Sequence, residues 1–544
     1  MATRGYIQLA KALAASGTDT LFYLMGGPIV QLAGSCAREG IRTIDFRHEQ
    51  GASFAAHAYA RVTGRPGVIT AASGPGVTNL VTGVSNAYQD CAPLVVLGGA
   101  APLSTVGMGE FQSFDQLSIM RPVTKWAVRA TEARRLPELL ATAFREATTG
   151  QPGPVYIDLP GDVLFERFDD EGIALPERSQ FGFEHRPAAD EAAVERAVEI
   201  LSQAERPIVV SGSGILWSKA DQALHDFVEE TGVPFYTTPL GRGVIPEDHP
   251  LAFLAARSTA FREADVVVQA ATRQSFVIGF ARPPRFSADA KFIQIDISAN
   301  EIGRNRAVEV GLVGDARRVL EQLTVAAKGR VRSDRWTAWV DRLRDQHRQR
   351  EERASFDQKS NQVPIHPQRV LAELRDLLPR AAILCVDGHE TLNFARQVLP
   401  THVPGHRLNP GISGCMGIAV PLGVGAKAAK PDTPVVVLSG DGSFGMNGYE
   451  VDTAIRHRLP LTIVMMHNGG WAGAVEGRKI PGRDLGLTRH DKVVEALGGE
   501  AAWVERPEDI RPAIEKALRT STVSIVCVVT DPLIRSETMA FGGY

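Results

Sequence analysis

VVVLSGDGSFG (Val435–Gly445) followed by LTIVMMHNGGW (Leu461–Trp471) decides the fold. Each opens on an apolar run without alternation and stops at glycines, the pattern of a strand buried on both faces. A helical stretch, Tyr449–His457, lies between them, so the two form one strand–helix–strand unit with a right-handed crossover. Asp441 and Asn468, 27 positions apart, then reach the carboxyl edges of neighbouring parallel strands, in the crevice where α/β sheets take ligands.

Outward from this unit the same pattern recurs. Val- and Ile-rich runs at Gly67–Ala72, Pro93–Gly98, Pro207–Ser211, Asp265–Gln269, Lys291–Ile297, Ala381–Val386, Thr433–Leu438, Leu461–Met466 and Val523–Val529 alternate with helical stretches. A chain of 544 residues exceeds one hydrophobic core. The expected fold is α/β, three consecutive doubly wound parallel-sheet domains. A charged, aperiodic stretch (Phe165–Pro187) and the segment Ala354–Pro367 separate domains near 1–165, 188–325 and 365–544. No short-period repeat is present, yet the first and third segments share a plan of glycine turns after apolar strands.

Composition narrows the function classes. Apolar residues make up 44% and charged residues 22%, the balance of a soluble globular protein. A net charge of −3 with no long run of one sign gives no support to a nucleic-acid groove or an anionic membrane surface. The five cysteines lack zinc-like spacing and read as reduced, mostly buried thiols. No signal peptide or membrane span is expected, so the compartment expected is cytoplasmic.

The chemistry at Asp441 fits Mg²⁺, which takes hard oxygen donors: one carboxylate, the Asn468 amide oxygen and a glycine carbonyl, completed by phosphate oxygens and water. Gly442 lets the backbone approach a phosphate, and Ser443 donates to one at the helix start. GDGS followed by an Asn one crossover later resembles the signature of thiamine-diphosphate enzymes. The resemblance implies Mg²⁺ bound by Asp441, Asn468 and the Gly470 carbonyl, bridging the cofactor's diphosphate. It also places Gly388, His389 and Glu390 of VDGHET (Val386–Thr391) at the far side of the diphosphate; an acidic Glu390 there is unexpected. In NPGISGCMGIAVPLGVGAKAA (Asn409–Ala429), Met416 fits the family's apolar wedge under the bent cofactor, and the Gly414 carbonyl accepts from its 4′-amino group.

IDFRHEQGASFAAHAYARVTGRPG (Ile44–Gly67) starts a small-residue helix at Glu49 and resembles the same family's glutamate segment. The matching glutamate hydrogen-bonds N1′ of the aminopyrimidine. A carboxyl group among apolar helices can share a proton with that nitrogen, so that the 4′-imino form takes the C2 proton and gives the ylid. Gly26, Gly27, Ser73 and Asn79 (of SGPGVTN, Ser73–Asn79) are further cofactor-binding candidates. In this family Glu49 and the metal site come from different subunits, so the resemblance implies a homodimer or homotetramer.

Three branches of the family compete. GPGVTNLVTGVSNAYQD, FQSFDQ and RPVTKW resemble acetolactate-synthase-like enzymes, which carry FAD in the middle domain. TPLGRGVIPEDHP (Thr238–Pro250), AARSTAFREADVVV (Ala255–Val268), FARPPRFSADAKFIQIDISANEIG (Phe280–Gly303) and HRLNPGISGCMG (His406–Gly417) resemble the 2-hydroxyacyl-CoA lyase and oxalyl-CoA decarboxylase branch. That branch implies coenzyme A recognition, with Arg257 and Arg407 as phosphate contacts. It also admits an ADP-type ligand, with Asp296 and Asp315 reaching ribose hydroxyls. Phe111-Gln112 stands where the decarboxylases carry Tyr-Glu, which favours the lyase, with Gln112 on the substrate hydroxyl. GDGSFG and HNGGWAG depart from that branch's GDSAFG and NNNGIY, and the tail DPLIRSETMAFGGY resembles benzaldehyde-lyase-like enzymes. Trp471 and Glu476 are expected to line the substrate pocket, Glu476 as a proton carrier. The small residues Gly469, Gly470, Ala472 and Gly473 leave room for a branched product.

The reading is a 2-hydroxyacyl-CoA lyase acting on a small acyl-CoA, giving formyl-CoA and an aldehyde or ketone, or the reverse. A catalytically inactive nucleotide-binding regulator is the rival of another class; loss of Glu49 or Asp441 would mark it, and both are present. A dinucleotide oxidoreductase would need GxGxxG, and SGSGILW (Ser211–Trp217) lacks the third glycine.

Overall fold

Strands buried on both faces need helices above and below, and the chain meets this need three times. The computed structural model describes residues 2–182, 185–471 and 481–536. Its first sheet runs Arg42–Asp45, Thr20–Tyr23, Gly67–Ala71, Leu94–Ala100, Val155–Pro160, Trp126–Arg129, every pairing parallel. The last sheet runs Arg407–Leu408, Ile383–Val386, Val435–Gly440, Thr462–His467, Ser524–Val529, Glu500–Val504, again all parallel. The two windings are identical. The middle sheet has five parallel strands: Phe235–Thr237, Pro207–Ser211, Val266–Ala270, Lys291–Asp296, Val310–Val313.

In each sheet the chain lays its second strand on one side of the first and its third on the other. Loops leaving the first and third strands therefore diverge and open a crevice. The three crevices lie after Tyr23 and Ala71, after Ser211 and Ala270, and after Val386 and Gly440. At the last, Gly388 takes φ +93°, and a Cβ there would sit 3.1 Å from the Gly440 nitrogen, so the turn needs glycine for both conformation and space.

The first and third sheets share one core. The helix Glu49–Thr63 is capped by His48, whose ring accepts from the Gln50 N–H, and ends at left-handed Gly64. Its alanines pack against the helix Ala419–Ala429, and both join one buried cluster drawn from the two sheets. The middle sheet keeps a core of its own. All five cysteines are free thiols, four of them buried. Among the described residues no helix is long and apolar enough to cross a membrane.

Candidate functional site

The strand Val435–Gly440 ends where the helix Asp441–Asn447 begins. Gly440 pairs with Met466, so Asp441 stands level with His467, and Asn468 follows one residue on. Spacing and handedness thus bring Asp441 and Asn468 to one sheet edge, as expected. Asp441 is only 3% exposed, and its Oδ2 has no hydrogen-bond partner; the buried Ser443 hydroxyl has none either. Burial pushes the Asp441 carboxyl up, partly offset by His467 and by backbone N–H groups. A buried carboxylate oxygen without a donor is a costly group, and the donor set here (a carboxylate, an amide and backbone carbonyls) fits a hard divalent cation. Asn468 Oδ1 accepts from the Gly470 N–H at 3.3 Å. Trp471 is pinned by two hydrogen bonds to Arg483, and its ring lies so near Gly442 that a Cβ there would meet Cε3 at 2.8 Å.

Asp387 organises the facing turn. Its carboxylate accepts from Gly388 N at 2.6 Å and Ile418 N at 2.7 Å, and burial raises its pKa to about 6. That tie sets the segment carrying Gly414 and Met416 against Gly388. His389 is exposed, while Glu390 accepts from the Ser536 N–H and hydroxyl, at 2.9 and 2.8 Å. The unexpected acid therefore faces the chain's tail.

Glu49, 6% exposed, accepts from Asn79 Nδ2 at 2.9 Å, so these two candidates hold one another. The start of their helix is fixed from the third domain. Buried Glu450 accepts from Arg47 N and His48 N at 3.2 and 3.1 Å, and Asn447 Nδ2 donates to Gln50 Oε1 at 2.9 Å. At the first crevice Ser73 N donates to the Gly27 carbonyl, and a Cβ on Gly26 would press on Ala72. The Ser73 hydroxyl donates to Gln112 Oε1 at 3.3 Å. Gln112 has φ 56°, on a loop anchored by Gln116, which accepts from Gly74 N and donates to Asp158. Phe111 beside it is 79% exposed.

A cavity of about 2190 Å³ lies where the three domains meet. Nine arginines and one lysine line it against four aspartates, an excess of positive charge. Arg257 and Arg396 stand in its wall; Arg257 Nε and Nη2 and Arg396 Nε are buried without hydrogen-bond partners. Burial, then the neighbouring arginines, lowers their pKa values to about 9 and about 10. Arg407 is deeply buried behind them with both terminal nitrogens unpaired. Asp296, in the wall, is raised to about 6 by burial. Asp315 also reaches the wall, but it caps the helix Ala316–Ala327 and accepts from Arg186 and the Ser218 hydroxyl, so it has little left for a ribose.

Of the residues singled out in the sequence, Gly388, His389, Gly414, Met416, Arg257, Asp296 and Asp315 line this cavity. Glu49, Asn79, Gln112, Asp441, Asn468, Trp471 and Arg407 do not. Glu476, Ala472 and Gly473 lie outside the described residues. Sequence reasoning missed Asp387, Arg396, Glu450 and His467. Asp387 and His467 sit inside quoted motifs, so position at a strand end was the available signal.

Residues 3–119 match the thiamine pyrophosphate enzyme N-terminal TPP binding domain, residues 194–323 the central domain, and residues 389–528 the C-terminal TPP binding domain. The chain is 36% identical over 534 residues to acetolactate synthase large subunit IlvG of Mycobacterium tuberculosis, covering 97% of this chain and 95% of the relative. It is 33% identical over 563 residues to 2-hydroxyacyl-CoA lyase of Oryza sativa, covering 99% and 97%. To oxalyl-CoA decarboxylase of Escherichia coli it is 31% identical over 550 residues, covering 98% and 96%.

Proposed function

Since the chain belongs to the thiamine pyrophosphate enzyme family, we propose that it is a 2-hydroxyacyl-CoA lyase, cleaving the C1–C2 bond of a 2-hydroxyacyl-CoA to formyl-CoA and an aldehyde or ketone, or joining them. One observation carries the choice of thioester: the cationic cavity with the unpaired donors of Arg257 and Arg396 in its wall. Burying guanidinium groups beside one another is costly unless an anion enters. The phosphates of coenzyme A are such an anion, and planar guanidinium forks suit them. Similarity to 2-hydroxyacyl-CoA lyase and oxalyl-CoA decarboxylase supports the same class.

When bound, thiamine diphosphate would supply the carbon nucleophile for chemistry at the thioester carbonyl. Asp441, Asn468 and the Gly470 carbonyl would hold its divalent cation, expected to be Mg²⁺, with Gly388, Gly442 and Ser443 around the diphosphate. Glu49, steadied by Asn79, would share a proton with the pyrimidine ring, while Gly414 and Met416 fix its position and bend. Gln112 would meet the substrate hydroxyl, with Phe111 and Trp471 excluding water from the reacting bond. Exposed apolar side chains border both halves of the site: Phe111 and Met108 on one, Met446 and Tyr449 on the other. A second copy would cover them and complete the site.

A second reading, an acetolactate-synthase-like carboligase, is favoured by the 36% identity to that relative. The same cavity would then take a flavin nucleotide, with Asp296 as its acidic contact. The discriminating experiment offers 2-hydroxyisobutyryl-CoA, mandelyl-CoA, oxalyl-CoA and pyruvate to protein loaded with thiamine diphosphate and Mg²⁺. Formyl-CoA from a hydroxyacyl-CoA supports the lyase. Acetolactate from pyruvate, with no turnover of any thioester, overturns it.

A further inference from the structure

His467 ends the strand Thr462–His467 and stands level with Asp441. Its ring is shut off from solvent. Nε2 lies 2.9 Å from the Thr488 carbonyl oxygen, which can only accept, so Nε2 carries the hydrogen. Nδ1 has no hydrogen-bond partner, and it faces Asp441 Oδ2, 3.6 Å away and likewise unpartnered. A buried ring nitrogen and a buried carboxylate oxygen facing one another need something positive between them, a proton on Nδ1 or a cation. The gap admits one cation at ordinary ligand distances of about 2 Å from each atom. The ring has little freedom to turn aside. Trp503 meets it edge-on at 5.5 Å between centroids, His490 lies 5.7 Å away, and Thr488 holds its far nitrogen.

We propose that His467 Nδ1 is a nitrogen donor to the divalent cation of this chain, beside Asp441, and that it shifts the site's preference from magnesium toward manganese- and cobalt-type ions. Imidazole adds little to a magnesium site, whose ion favours oxygen, but suits first-row transition metals. The inference goes beyond the all-oxygen donor set given above and rests on Asp441 as the cation's carboxylate.

The test uses full-length protein stripped of metal, then loaded with thiamine diphosphate and Mn²⁺, and examined by pulsed electron paramagnetic resonance. The expected result is the nitrogen hyperfine coupling of a directly bound imidazole, lost in His467→Asn while Mn²⁺ still binds. Competition titration should show the preference for Mn²⁺ over Mg²⁺ falling about tenfold or more in the variant. His467→Gln serves if the Asn variant does not fold. Bound Mn²⁺ without nitrogen coupling, or coupling unchanged in the variant, overturns the role of His467 alone. No Mn²⁺ binding at all withdraws the Asp441 reading with it.

Discussion

Replacing Arg257 with methionine should stabilise the ligand-free protein while weakening its hold on coenzyme A, two effects of opposite sign from one change. Burial first, then Arg285, Arg396 and Arg242, pulls the guanidinium from 12.5 to about 9. A base whose pKa is lowered by folding is penalised wherever it is charged. The cost is present in full below about pH 9 and lifts as pH rises through that value. At about 1.4 kcal/mol per tenfold, the shift from 12.5 to about 9 sets a ceiling of about 5 kcal/mol. Two effects reduce it. The guanidinium lies 4.8 Å over the Phe261 ring, a contact worth about 1–2 kcal/mol, and water in the cavity screens the charge. Methionine keeps the packing of the stem, so the net gain expected at neutral pH is about 1–2 kcal/mol. Thermal denaturation without ligand reads that gain. The same melts with coenzyme A at hundredfold excess over its Kd should add about 2.7 kcal/mol to the wild type, and less to a variant that has lost about tenfold in affinity. A variant that is less stable without ligand, yet binds coenzyme A as tightly, would refute the reasoning from buried charge.

Glu49→Gln should lower turnover by about 10²–10⁴ with the affinity for thiamine diphosphate changed only a few-fold, checked by kinetics beside calorimetric titration. Gly442→Ala places a Cβ 2.8 Å from the Trp471 ring and should weaken thiamine diphosphate binding about tenfold. Gly445→Ala, with nothing within 4 Å of its Cβ, should leave that affinity unchanged in the same titration. Burial raises Asp90 to about 7 against the pull of Arg61, so its contribution to stability is present below about pH 4 and is lost as pH rises through about 7. Asp90→Asn should flatten that loss, by about 3 kcal/mol at most, in denaturant melts compared at about pH 5 and about pH 8.

The strands that were legible in the sequence are the interior ones. All nine expected runs form strands within a residue or two, from Gly67–Ala71 to Ser524–Val529, because strands covered on both faces must be continuously apolar. The six edge strands escaped: Arg42–Asp45, Trp126–Arg129, Phe235–Thr237, Val310–Val313, Arg407–Leu408 and Glu500–Val504. Four of these mix Arg, Glu or Trp with apolar residues, and the other two, Phe235–Thr237 and Val310–Val313, are too short to read as runs. Two interior strands also escaped, Thr20–Tyr23 because it is short and Val155–Pro160 because Asp158 interrupts it; that carboxylate is tied to Arg129, Tyr156 and Gln116. Buried polar partners of this kind come from distant positions, and a one-dimensional pattern cannot supply them.

The same division explains which site residues could be found. Asp441 and Asn468 are joined by one crossover, so spacing and handedness alone bring them together. Asp387, Glu450 and Arg396 gain their meaning from neighbours in other elements: Ile418 for Asp387, the Arg47–His48 backbone some four hundred residues away for Glu450, and Arg257 in the same cavity wall for Arg396. His467 is the instructive intermediate. Its place at a strand end beside Asp441 follows from parallel pairing, and its identity is plain in HNGGW, but only the Thr488 carbonyl on its far nitrogen shows that the near one is turned, unpartnered, toward the carboxylate. A tautomer is set by tertiary contact, so a chemical role that depends on one becomes readable only when the strand, the loop carrying Thr488 and the carboxylate are seen together.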